Sequence, residues 1–206
     1  MNKKKDIRAL TKEELRFFFV ENNDQAFRGN QVYEWLWSKS LHTFEEMTNI
    51  SKETREMLEA NFVINHIKVD SMQRSKDGTI KNGIKLHDGL IVESVLIPTE
   101  KRTTACVSSQ VGCSLDCKFC ATSRLKRMRN LNPDEIYDQV VIIDKQSRLY
   151  FNHKLSNIVF MGMGEPLMNY KNMMKSIEMI TSPEGLGMSS KRITVSTSGV
   201  PKMIKM

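Results

Sequence analysis

The sequence predicts an α/β fold: a helical segment first, a small antiparallel β meander next, then a parallel sheet with crossover helices. Three observations predict it. Helix-capping signatures fill the first sixty residues, strands and tight turns follow to Pro98, and strand and helix alternate thereafter. The expected divisions are 1–60, 61–98 and 99–206. A chain of 206 residues has room for one sizeable domain or two small ones, and 40% hydrophobic content suffices for a core.

In the first segment Thr11-Lys12-Glu13-Glu14 is a capping box, opening a helix with apolar Leu15, Phe18, Phe19 and Val20. A second helix carries Val32, Trp35 and Leu36 on one face. Thr43-Phe44-Glu45-Glu46 predicts another helix start, and Ser51 caps a last one through Met57 and Leu58. The aromatic residues here read as core. Basic Arg28, Lys39, Lys52 and Arg55 are candidates for contact with RNA phosphates.

The middle segment predicts strands over Ile64–Met72, Thr79–Leu86 and Leu90–Ile97, joined at Asp77-Gly78 and His87-Asp88-Gly89. On the last strand Glu93 stands among Ile91, Val92, Val95 and Leu96. A carboxylate in such a strand usually faces water. Buried, its pKa would rise and it would become a candidate base.

From Thr104 to Ser108 a short strand leads into the cysteines. Asn132-Pro133-Asp134-Glu135 starts a helix running through Ile136, Val140 and Ile143, with proline in the first turn and early acids. Ile158–Met161 is a buried strand, followed by the turn Gly162-Met163-Gly164-Glu165-Pro166 and a Met-rich helix to about Ile180. Arg192–Thr197 is a third strand. In a parallel sheet, sites form at the carboxyl ends of strands. The cysteine loop, the Gly-Glu turn and Ser196-Thr197-Ser198-Gly199 all fall at such ends.

The run Cys113-Ser114-Leu115-Asp116-Cys117-Lys118-Phe119-Cys120 has the spacing C-x3-C-x2-C. Three thiolates so close can hold three corners of a four-iron cluster and leave one iron open. Zinc is the other reading, with Cys106 as fourth ligand of a structural site. All four cysteines fall between 106 and 120 without a second arm, which favours the cluster.

The other motifs have plainer readings. Gly162 and Gly164 serve as tight-turn residues or let backbone approach a ligand; Glu165 would accept from a cationic amino group. Ser196 ends a strand or binds a carboxylate or ribose. The methionines from Met161 to Met179 read as core packing.

Net charge +7 suits a polyanionic partner such as RNA. Ser123–Asn130 adds four cations beside the cysteines, read either as an anion-attracting segment or as a solvated loop. No apolar run reaches the length of a membrane span, and the start carries no apolar stretch of a secretory signal. Clustered cysteines suit a reducing cytoplasm.

Together, Val92-Glu93-Ser94-Val95, Ile97-Pro98, Cys106-Val107-Ser108-Ser109-Gln110-Val111-Gly112-Cys113, the cysteine triplet, Gly162-Met163-Gly164-Glu165-Pro166 and Ser196-Thr197-Ser198-Gly199 resemble the RlmN/Cfr family of radical S-adenosylmethionine (SAM) RNA methyltransferases. The Glu-Pro and Ser-Thr-Ser-Gly forms, with Val111 after Gln110, resemble its housekeeping branch. Phe27-Arg28-Gly29-Asn30-Gln31 through Trp35, with Phe44-Glu45-Glu46-Met47, is similar to the family's accessory domain.

The resemblance implies a partial (β/α) barrel, a [4Fe–4S] cluster and SAM. Implied too is methylation of adenine C2 in 23S ribosomal RNA and in tRNA. Adenine C2 is not nucleophilic, so polar methyl transfer fails there. In the family one SAM methylates a late cysteine, and a second yields a 5′-deoxyadenosyl radical that activates the methylcysteine. The resulting carbon radical adds to C2, and a disulfide resolves the adduct. By residue, Cys113, Cys117 and Cys120 match the cluster ligands, Gly164 and Glu165 the contacts to the SAM amino group, and Ser196 a SAM contact. Glu93 matches the proton acceptor and Cys106 the partner in the resolving disulfide. An electron donor such as flavodoxin or ferredoxin and a monomeric, cytoplasmic protein complete the expectation.

The sequence departs from that pattern at its end. It stops just after the third barrel strand, so the resemblance implies an incomplete barrel, and no cysteine follows Cys120 to carry the methyl group. This polypeptide alone is therefore expected to lack methyltransferase activity. A zinc-stabilised, non-catalytic RNA-binding module is the alternative.

Overall fold

The computed structural model describes residues 4–204. They divide into two compact units, Met1–His66 with Ser182–Gly187, and Ile67–Thr181 with Met188–Met206.

The first unit holds β1 (Lys5–Asp6), α1 (Lys12–Glu21), α2 (Phe27–Trp37), α3 (Lys52–Asn61) and β2 (Phe62–Val63), with β1 and β2 paired in parallel. Thr11 and Glu14 form the capping box of α1, and the Ser51 side chain accepts from the Thr54 N–H to cap α3. Helices α1 and α2 approach backbone to backbone at Gly29, where a Cβ would lie 2.5 Å from the Arg16 nitrogen. Ile7, Leu15, Phe19, Val32, Leu36, Trp37 and Leu58 fill the core.

Three expectations change here. The Thr43 capping box forms, but over a 3-10 turn of three residues, Phe44–Glu46. Trp37 is the buried tryptophan, while Trp35 is half-buried with the Lys39 ammonium 3.8 Å above its ring. Phe17 and Phe27 are exposed, so the aromatic residues are only partly core. The cations proposed for phosphate contact also have local partners. Arg28 lies over Phe27, Lys39 and Lys52 pair with Glu34 and Glu56, and Arg55 donates to the Glu45 carbonyl.

The second unit is built on a six-stranded sheet of β3 (Lys68–Arg74), β4 (Ile80–Lys85), β5 (Ile91–Pro98), β6 (Thr103–Cys106), β9 (Asn157–Phe160) and β10 (Ile193–Val195). Its order is β10-β9-β6-β5-β4-β3. Strands β6, β9 and β10 run parallel, while β3 to β6 are antiparallel neighbours. The meander therefore continues into the parallel sheet without a break at residue 98. A short antiparallel pair, β7 (Gln110–Val111) with β8 (Arg129–Asn130), lies apart from it. The strand expected from Ile64 begins only at Lys68.

Period-two alternation sorts the side chains. Ile80, Ile84, Val92, Leu96, Ala105, Ile158 and Phe160 are buried on one face, which is covered by α4 (Pro133–Phe151), with α5 (Tyr170–Thr181) packed against α4. Within that core Asn82 and Gln146 exchange two amide hydrogen bonds of 2.9 and 2.8 Å, satisfying two buried side chains at once. The opposite face is open and carries Lys81, Glu93, Val95, Cys106 and Val159. A short helix, α6 (Pro201–Ile204), follows β10.

Candidate functional site at the carboxyl ends of the parallel strands

The expected rim exists. The cysteine loop follows β6, the Gly-Glu turn follows β9, and Ser196 follows β10, three adjacent parallel strands. Ser196 is half-buried one residue beyond β10.

The cysteine loop, 112–128, springs from the β7–β8 pair, and Met128 donates to the Val111 carbonyl at 2.8 Å. Gly112 has φ +73°, and a Cβ there would meet the Lys126 carbonyl oxygen at 2.3 Å, so only glycine lets the two arms close. Farther out the contacts are local turns. Cys120 donates to the Cys117 carbonyl, and the Ser123 hydroxyl donates to the Cys117 and Cys120 carbonyls. Phe119 is 95% exposed.

All four cysteines are free and half-buried, so no disulfide pairs them. Among the described residues no three Cys, His, Asp or Glu side chains converge as a metal site. The Ser123 N–H, followed by Thr122, holds the Cys120 thiol below its ordinary range. As a donor set, three thiols within eight residues match three corners of a cluster.

Cys106 ends β6, directly opposite Val95 of β5 and beside Val159 of β9. Burial pushes its thiol pKa up. Glu93 lies two residues from Val95 on the same face, a diagonal neighbour of Cys106. It is not the buried carboxylate that would make a base through desolvation: its side chain is 53% exposed and pairs with Lys81 at 3.1 Å. Its main chain is held more tightly, with the carbonyl accepting from the Ser108 hydroxyl at 2.6 Å.

The Gly-Glu turn lies against the segment before the cysteines. Gly162 donates to the Val107 carbonyl, and Met163 donates to the Ser108 hydroxyl at 2.8 Å. The Met163 carbonyl accepts from both Ser109 and Gln110. Glu165 is buried, and its carboxylate accepts from the Leu167 N–H at 3.0 Å and from the Ser198 N–H and hydroxyl at 2.8 and 2.9 Å. Burial pushes this carboxyl up, but the donors on Ser198, Thr197 and Leu167 more than offset it and hold it below the usual range. Its side chain therefore joins the turn after β9 to the loop after β10.

Some of what shapes the site escaped the sequence reading. Ser108, Ser109 and Gln110 are buried despite their polarity. Three polar residues between a strand and a cysteine loop were the available signal. Arg129, one of the four expected loop cations, makes a bidentate pair with buried Glu135 at 2.7 and 2.8 Å and a third bond to Asp88 at 2.7 Å. Arg124, Lys126 and Arg127 remain exposed. Met161, Met168 and Met174 are likewise exposed, whereas Met163, Met173 and Met179 are core.

Comparison with known proteins agrees with this arrangement. Residues 5–64 match the ribosomal RNA large subunit methyltransferase N-terminal domain, and residues 107–203 match the radical SAM superfamily. A crystal structure of a radical SAM methyltransferase from Sphaerobacter thermophilus superposes with TM-score 0.85 at 34% identity, over 97% of this chain and 59% of that one. The chain thus resembles a radical SAM protein with an N-terminal accessory domain.

Relatives refine the assignment. Probable dual-specificity RNA methyltransferases RlmN from Flavobacterium johnsoniae and Christiangramia forsetii are 79% and 78% identical over 98% and 99% of the chain. That from Cytophaga hutchinsonii is 60% identical over 98%. The chain spans 55–58% of the length of these relatives. Along nearly its whole length the chain is similar to the RlmN family, whose cofactors are a [4Fe–4S] cluster and SAM.

Proposed function

We propose that this chain provides the cluster- and SAM-binding region of a methyltransferase acting on C2 of adenine in 23S ribosomal RNA and tRNA. The placement of the three rim segments at the carboxyl ends of three adjacent parallel strands supports this reading.

Cys113, Cys117 and Cys120 would hold the cluster and leave one iron for SAM. Bound together, cluster and SAM supply the reductive radical chemistry that an unreactive carbon such as adenine C2 requires. Gly164 and Glu165 would meet the SAM amino group through the turn that the Glu165 side chain braces, with Ser196 at the neighbouring strand end. Glu93 would accept the proton released from C2, from an exposed position on the open face. Cys106, its thiol pKa raised by burial, would serve as the resolving thiol for a second cysteine, which these 206 residues do not supply after Cys120. The positive net charge and exposed Arg124, Lys126 and Arg127 suit an RNA substrate. An electron donor of the flavodoxin or ferredoxin kind, a monomeric state and a cytoplasmic location belong to the same reading. No helix among the described residues is long and apolar enough to cross a membrane.

Metal and sulfide analysis of anaerobically purified chain is the test. About four irons with matching sulfide support the reading; zinc without iron overturns it in favour of a zinc-stabilised module. Activity is then read as 2-methyladenosine, using these residues within a chain of the relatives' full length. There Cys106→Ala should keep its iron and block turnover, whereas the 206-residue polypeptide alone should form no product.

A further inference from the structure

The cysteine loop and the Gly-Glu turn are separate in sequence, yet one buried side chain holds both. Gln110 is fully buried and uses both ends of its amide. Its Oε1 accepts from the Glu165 N–H at 2.9 Å, and its Nε2 donates to Asn130 Oδ1 at 2.7 Å. Asn130 lies in β8, the returning root of the cysteine loop, and its own amide donates to the Met168 carbonyl at 3.3 Å beyond the Gly-Glu turn. Gln110 itself occupies β7, the outgoing root. One amide thus spans both roots of the loop and the Gly164–Glu165 peptide of the turn.

A second observation points the same way. A Cβ on Gly164 would lie 2.5 Å from Gln110 Cβ and 2.7 Å from its Cγ, and Gly164 has φ +94°. The glycine leaves the space through which the glutamine side chain reaches Glu165. Gln110 and Gly164 are therefore complementary, and neither tolerates exchange without disturbing the other.

We propose that Gln110 is a positioning residue that sets the cysteine loop in register with the Gly162–Glu165 turn, so that cluster and SAM meet in the orientation the chemistry needs. This deepens the function proposed above and rests on it for the identity of the two ligands. Gln110 touches neither ligand in this scheme. It acts through Asn130 on one and through the Glu165 peptide on the other, as hydrogen-bonding partners behind metal ligands do elsewhere, where their loss typically costs about 10–100-fold.

The test compares two variants of similar volume and burial. Gln110→Met fills the space and deletes both bonds. Gln146→Met deletes the buried amide pair with Asn82, which shares no hydrogen bond with the cysteine loop or the Gly-Glu turn. Reconstituted chains are assayed for iron, thermal stability and SAM affinity, the last from the SAM-induced change in the spectrum of the reduced cluster. Gln110→Met is expected to keep its iron while SAM binds about 10–100-fold more weakly; Gln146→Met should lose stability with unchanged SAM affinity. Equal SAM affinity in the two variants overturns the proposal.

Failure of the wild-type chain to take up iron counts against the proposed function instead. Hydrogen exchange on the metal-free chain then decides the positioning role. Faster exchange at both Glu165–Met168 and Asn130–Leu131 in Gln110→Met supports it, and a change confined to the neighbours of residue 110 overturns it.

Discussion

Two stretches that adjoin in sequence behave as opposites. Residues 107–110 are buried, and their polar groups bind Glu93, Asn130, Gln139, Met163 and Glu165 across the unit. Residues 113–128 make mostly local turn contacts and leave Phe119, Leu125 and Met128 exposed. The first stretch is a finished scaffold in which each buried polar group has a partner, as a low-dielectric interior demands. The second carries the donor atoms and is held mainly by local turns, with a 3.6 Å bond from the Ser114 hydroxyl to the Met168 sulfur reaching across the unit. Preorganisation thus lies beneath the cysteines rather than among them.

Substitutions sharpen this contrast. The largest difference expected is between iron binding and stability in Cys117→Ala: iron is lost, while the urea midpoint of the metal-free chain moves by no more than about 0.5 kcal/mol equivalent. A large stability loss would show that the loop is part of the scaffold after all. Arg129→Gln should act in the opposite way on the scaffold. It leaves buried Glu135 without its bidentate partner, and the chain should lose about 3 kcal/mol in urea unfolding.

Glycine offers a finer comparison. Gly164→Ala meets both a positive φ and the Gln110 side chain and should cost about 3 kcal/mol. Gly89 has φ +83° with nothing within 4 Å of its Cβ position, so Gly89→Ala should cost only the backbone term, about 1 kcal/mol. Equal losses would mean that Gln110 does not crowd Gly164.

Acid should weaken the scaffold through Glu165. Its carboxyl is held below the ordinary value of 4.5, so its contribution is fully present well above 4.5. On acidification the unfolded chain takes up this proton first, and the contribution is lost as pH falls through the lower folded value. Urea unfolding between pH 7 and 3 should therefore show a shallower acid loss in Glu165→Gln. The smallest effect expected is in thiol chemistry: Cys106, with its raised pKa, should be alkylated most slowly of the four cysteines at pH 8 in the metal-free chain.

Local signals located the strands and the rim well. The alternation in Ile91–Pro98, the proline and acids at Asn132–Glu135 and the Gly-Glu turn after β9 each act within a few residues, so a linear reading finds them. Glu93 shows the limit. Its apolar neighbours suggested either environment, and only the pairing of β4 with β5 brings Lys81 to it and leaves it open to solvent. Arg129 read as one loop cation among four until folding brought Glu135 and Asp88 to it from elsewhere in the chain. Trp37, rather than the expected Trp35, joins Val32 and Leu36 in the core because the helical period tolerates a small rotation of the buried stripe.

The sequence by itself determined the α/β class, the spacing of three cysteines, the turn glycines and the family that the chain resembles. These depend on local backbone preference and residue chemistry, which adjacent residues specify. Tertiary structure alone decided that Ser108 and Gln110 lie in the interior, that Glu165 braces two loops, and that Gly164 must be glycine because a side chain more than fifty residues away in the sequence passes over it. A buried hydrogen bond needs both partners, and only the assembled sheet brings them within reach.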